Sequence, residues 1–211
     1  MNNPTDPEKK STKGPSKVII RKLPTGVRGL DEILGGGIPE FSFNVIAATP
    51  GCGKTTLAHQ IAFANATKEK PALYFTVLGE PAIKMLRYQQ QFTFFDVDKL
   101  GTAVRFINLS DILMEKDLPA VLAEIISQVT AVKPSIVVVD SFRTVMRKAV
   151  ASGDQLEMQS FIQGLTQFLT SWQASTFLVA NTTQMKCAAI PCSRSQTACS
   201  GSRRSPSAIP W

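Results

Sequence analysis

Histidine is nearly absent: His59 is the only one in 211 residues. Cysteine is scarce as well, with Cys52 alone in the body and Cys187, Cys192 and Cys199 close together near the end. Their C-x4-C-x6-C spacing fits no common zinc pattern, and with a single histidine to help, a metal cluster is not expected. No run of about 18 apolar residues occurs, so a membrane-spanning helix is not expected either. The opening MNNPTDPEKKSTKGPSK lacks the apolar stretch of a secretory signal. Cytoplasm is the expected compartment, and a disulfide framework is not expected there.

Acidic residues are missing from 186–211, which hold four Lys/Arg, and are outnumbered in 1–22 by six Lys/Arg to two. These ends account for the net charge of +7, because 23–185 carries 13 basic and 14 acidic residues. The body is therefore near neutral, no basic stripe on a folded face is indicated, and nucleic acid is not an expected partner.

What is present is an ordinary globular composition, 44% apolar and 18% charged, at a length suited to one domain. Residues 1–17 are polar and basic and read as a disordered leader. From 18 to 185, short β-branched runs alternate with amphipathic stretches. Strands are expected at Phe43–Ala48, Ala72–Leu78, Val104–Leu109, Ser135–Asp140 and Thr176–Ala180. Helices are expected at Lys54–Thr67, Pro81–Phe92, Leu118–Val132 and Asp154–Trp172. The run IVVVD is apolar at four successive positions, as in a strand buried on both faces. The expected class is α/β, a mainly parallel sheet with helices on both faces.

The strongest chemical signal is A-T-P-G-C-G-K-T-T at Ala48–Thr56, between an apolar strand and a helical pattern. Gly51 and Gly53 allow a loop whose N–H groups turn toward one phosphate, and the following helix N-terminus favours an anion. Thr49, Pro50, Gly51, Cys52, Gly53, Lys54, Thr55 and Thr56 are thus candidate nucleotide-binding residues. Lys54 would supply charge to the β- and γ-phosphates, and the Thr55 hydroxyl would ligate Mg2+. Ala48 stands where the usual G-x-x-x-x-G-K-[ST] pattern has its first glycine. The plain alternative is a Gly-rich turn.

Asp140 ends the IVVVD strand, at the edge where open α/β sheets bind ligands. It is the expected second partner for Mg2+, with a helix N-cap as the alternative. Glu80 follows the second strand and is a candidate for activating an attacking water. Its alternative is an acid stabilised by the dipole of the next helix.

Three segments together resemble one family. PTGVRGLDEILGGGIP (Pro24–Pro39), YFTVLGEPAIKMLRY and IVVVDSFRTV are similar to the opening, second strand and Walker B segment of KaiC-like ATPases, a branch of the RecA superfamily. The resemblance spans Val18 to Ala180 and implies a RecA-like P-loop core, Mg·ATP as ligand, and hexameric rings with nucleotide between subunits. It places Lys54 and Thr55 on the family's Walker A and Asp140 on its Walker B. The family's clock members carry two adjacent Glu after the second strand. Here Gly79 takes the first position, so Glu80 is the remaining catalytic candidate beside Lys54. Clock members also have a second domain in which they phosphorylate themselves; with one domain here, kinase activity is not carried over.

Residues 186–211 are rich in Ser, Cys and Arg, show neither helical nor strand periodicity, and are expected to be unstructured. Read one frame over from Met185, synonymous codons permit EMRSNPVFTVADGLLWLSAQPERNS, which resembles the family at this point. Met185–Trp211 is therefore expected to be an out-of-frame end, with a genuine linker as the alternative, leaving the family's later strands without a counterpart.

The functional expectation is an ATP-binding, Mg2+-dependent ATPase domain with regulatory protein partners. The alternatives are a nucleotide-holding module without turnover and a recombinase-like ATPase acting on DNA.

Overall fold

The computed structural model describes residues 19–77, 87–142, 144–145 and 155–182. Two short strands, β1 (Lys22–Leu23) and β2 (Ile38–Pro39), pair antiparallel and enclose the single-turn helix α1 (Leu30–Ile33). Next come β3 (Phe43–Ala48), α2 (Lys54–Asn65), β4 (Ala72–Thr76) and β5 (Val104–Asn108). They are followed by α3 (Ser110–Glu115), α4 (Leu118–Val132), β6 (Ile136–Asp140), α5 (Gln155–Ser171) and β7 (Ser175–Asn181).

The five longer strands make one sheet in the order β3-β7-β6-β4-β5, with every neighbouring pair parallel. Parallel pairing forces each connection to cross a face of the sheet, and the helices occupy both faces. The strands divide their side chains accordingly. Val137 and Val139 of β6, with Leu73, Phe75 and Leu178 alongside, pack under Val121, Ile125 and Val129 of α4 and Leu165 and Leu169 of α5. Ile136 and Val138, with Tyr74 and Phe177, pack against Ala58, Ile61, Ala62 and Phe63 of α2. Burying a Val, Leu or Phe side chain in this way stabilises the fold by about 1.5–3 kcal/mol.

β4 and β6 are buried at every position, whereas β3 is half-buried at all six of its positions. β7 inserts between β3 and β6, so among the described residues the edge on this side belongs to β3 and not to β7.

The α4 expectation matches residue for residue, and its start is fixed by Asp117, whose side chain accepts from the Ala120 N–H at 3.0 Å. The helix expected over Pro81–Phe92 is met at 87–89 and ends three residues early. Residues 81–86 lie outside the described residues, helix covers 87–89, and the chain then turns through Phe92 N–H to Gln89 C=O at 3.0 Å. The cause is aromatic packing: Phe94 and Phe95 swing onto Phe63 of α2, with ring centroids at 6.2 and 5.1 Å. The leader 1–17 and the tail 186–211 lie outside the described residues.

Candidate nucleotide-binding site

The loop Thr49–Gly53 joins the C-terminal end of β3 to the first turn of α2. Gly51 and Gly53 have φ of 81° and 78°, the left-handed region that glycine enters without strain. Gly53 is the N-cap of α2, and no side chain caps that helix. Its first-turn N–H groups are thus left for a ligand, at the positive end of the helix dipole. A Cβ on either glycine would meet nothing within 4 Å, so open space lies above the loop. Thr49 to Gly53 are exposed, and the Thr49 hydroxyl lies 2.9 Å from the Cys52 thiol.

Lys54 folds back across this loop. Its ammonium donates to the carbonyls of Ala48 at 3.1 Å and Thr49 at 2.8 Å. The cation is held in the loop by groups that a phosphate oxygen would outbid in charge. Thr55 and Thr56 follow on the first turn of α2, half-buried.

Asp140 ends β6, only 3% exposed, at the same end of the parallel sheet as the loop. The Tyr74 hydroxyl of β4 donates to its Oδ2 at 2.7 Å. Burial pushes the Asp140 carboxyl above the usual carboxylate range, opposed by hydrogen bonding from Thr55 and Tyr74 and by the Lys54 charge. Lys54, Thr55 and Asp140 therefore converge. A hydroxyl and a carboxylate are hard oxygen donors of the kind Mg2+ takes when phosphates and water complete its shell. Among the described residues no group of three or more His, Cys, Asp or Glu converges, so an all-protein metal cage is not built. Glu80 lies outside the described residues.

Sequence reasoning missed two buried polar residues beside this site. Tyr74 sits mid-strand in an otherwise apolar β4 segment, and its buried hydroxyl had to find a partner. Burial above all, then the Asp140 charge, raises its pKa well above the ordinary value, which keeps the hydroxyl a donor. His59, one turn beyond Thr55, is fully buried against Tyr74 and Phe106 at centroid distances of 4.4 and 5.5 Å. Among the described residues neither ring nitrogen has a hydrogen-bond partner, and burial lowers its pKa to about 4, opposed by the nearby Gln89 side chain.

An apolar cleft of about 390 Å³ runs along β3 below the loop, between Leu30, Leu34, Ile38, Leu57 and Phe177. Ala48, Cys52, Gly53 and Lys54 also line it, so it opens onto the phosphate loop, and Asp140 is not among its lining residues.

Residues 23–194 match the family described as KaiC ATPase. The chain belongs to this family. Relatives include the DNA repair protein RadA of Mycobacterium tuberculosis, 31% identical over 166 residues, 78% of this chain and 32% of that protein. A UPF0273 protein of Thermotoga maritima is 36% identical over 63 residues, 30% of this chain and 26% of that one. The chain spans about a third of the length of the RadA proteins it matches. A KaiC-like protein from Pyrococcus horikoshii shares the fold, with a TM-score of 0.62 and 21% identity over 78% of this chain and 73% of that one.

The α/β, RecA-like core read from the sequence is thus shown. The expectation that nucleic acid is no partner draws no support from relatives named for DNA repair. Its physical weakness is that a near-neutral sum over 23–185 says nothing of charge on one face. No helix among the described residues is long and apolar enough to cross a membrane.

Proposed function

We propose that this chain binds Mg·ATP in the Thr49–Thr56 loop and hydrolyses it slowly, as a regulatory ATPase module that assembles with copies of itself in the cytoplasm. The observation that carries the reading is the Lys54 ammonium, held by the Ala48 and Thr49 carbonyls at the uncapped N-terminus of α2. The N–H groups of the loop would cradle the phosphates and Lys54 would balance their charge. Thr55 and Asp140 would hold Mg2+, which neutralises phosphate charge when bound. Glu80 would orient the attacking water, and a hexameric ring is the assembly the family resemblance implies.

The test is calorimetry and turnover with the parent, Lys54→Ala and Glu80→Gln. Lys54→Ala is expected to weaken ATP binding by about tenfold or more, roughly 1.4 kcal/mol. Glu80→Gln is expected to bind ATP like the parent and hydrolyse it more slowly. Unchanged affinity in a folded Lys54→Ala protein would remove the phosphate-loop assignment. A Glu80→Gln protein as fast as a turning-over parent would reduce Glu80 to a helix-start acid, and binding without any turnover would mark a nucleotide-holding module.

A second reading, an ATPase acting on DNA, is favoured by the 31% identity to RadA over 78% of the chain. It predicts DNA affinity that falls steeply with salt and responds to ATP. Absence of binding at low salt, with and without Mg·ATP, removes it.

A further inference from the structure

The hydrogen bond from Tyr74 to Asp140 occupies one of the two oxygens of the carboxylate nearest the phosphate loop. Thr55 and the Lys54 charge act on the same carboxylate. We propose that Tyr74 is a positioning residue for the Mg2+ site: its hydroxyl pins Oδ2 of Asp140 so that Oδ1 remains the oxygen available to the metal. This rests on the phosphate-loop reading and adds a residue that the loop and Walker motifs do not contain.

Three features make the pin rigid. Tyr74 and Asp140 lie on adjacent strands in fixed register, Tyr74 beside Val138 and Thr76 beside Asp140. The Tyr74 ring is fully buried and packs against His59 at 4.4 Å and Phe106 at 5.1 Å, rings that also meet each other at 5.5 Å, measured between centroids. His59 belongs to α2, the helix that carries Lys54 and Thr55. One ring thus touches the loop helix on its face and the carboxylate at its tip. A carboxylate with one oxygen already satisfied cannot turn both oxygens to water or to Lys54, and side chains held by such outer partners keep a metal ligand in one orientation.

The experiment is calorimetric titration of ATP, in Mg2+ and in EDTA, into the parent, Tyr74→Phe, Asp140→Asn and the double variant. Tyr74→Phe removes only the hydroxyl and keeps the ring packed against His59 and Phe106. It is expected to leave the affinity for metal-free ATP at the parent value and to weaken Mg·ATP binding by about tenfold, the scale of a hydrogen bond to a charged group. In the Asp140→Asn background the same change is expected to have no further effect, because the two residues act as one unit.

An equal loss in Mg2+ and EDTA would make Tyr74 a structural residue only and overturn the proposal. So would no loss at all, or losses that add in the double variant. A parent chain that binds no ATP under either condition would overturn the phosphate-loop reading and this proposal with it. A parent with a Mg2+-dependent gain that Tyr74→Phe retains overturns the proposal alone.

Discussion

Asp140 and His59 are both taken out of water, and they meet the cost in different ways. Asp140 keeps hydrogen-bond partners and a nearby cation. His59 has neither among the described residues, so it is held neutral among the Tyr74 and Phe106 rings. Its pKa falls from 6.5 to about 4 on folding. The unfolded chain therefore takes up the proton first, and the stability that neutral His59 permits is present above pH 6.5 and lost as pH falls toward 4. The change from about pH 7.5 to about pH 5 should cost the parent about 2 kcal/mol through this residue. Urea denaturation of the parent and His59→Leu at both pH values tests it: the variant should lose about 2 kcal/mol less than the parent over that interval. Asp140, whose carboxyl is shifted upward, acts in the opposite sense but is common to both proteins. Equal pH slopes would show that His59 is not buried as described. At this scale the placement of Lys54 and Thr55 at the start of α2 and of Asp140 at the end of β6 was legible in the sequence, since it follows from the strand and loop patterns around them. Tyr74 and His59 were not, because their roles depend on partners brought in by the sheet, 66 residues apart in the case of Tyr74 and Asp140.

The elements show where sequence patterns carry and where they stop. Strand and helix centres follow from apolar runs such as IVVVD and from the amphipathic pattern of α4, but their ends shift by a residue or two with capping and pairing. β1, α1 and β2 left no expectation, for two- and four-residue elements are too short to show a period. Their geometry rests instead on the glycines before β2. A Cβ at Gly37 (φ 113°) would lie 2.3 Å from the Leu23 carbonyl oxygen of β1, whereas one at Gly36 (φ 110°) would meet only the flexible Lys22 side chain at 3.5 Å. Gly36→Ala should thus cost backbone strain of about 1–2 kcal/mol, while Gly37→Ala adds a backbone clash and should cost more by on the order of 1–3 kcal/mol. Thermal or urea denaturation of the two variants checks the order. Equal losses would mean that β1 does not pass that closely over Gly37.

At the scale of the whole molecule, the parallel sheet gathers two distant pieces of sequence at one end. The loop after β3 and Asp140 at the end of β6 meet there with β7 between their strands. The strand at Thr176–Ala180 was expected, but its place between β3 and β6 could not be read from the alternation of patterns, because alternation fixes the class and leaves the order of strands open. The half-buried β3 beside the loop gives the site one wall open to solvent or to a neighbouring copy. The account stands on phosphate binding in this loop, and hydrogen–deuterium exchange of the intact chain with and without Mg·ATP tests that most directly. Amides in peptides spanning residues 48–57 should exchange more slowly with nucleotide, joined by those at the end of β6 around Asp140. ATP bound in solution with protection elsewhere, and none in residues 48–57, would contradict it.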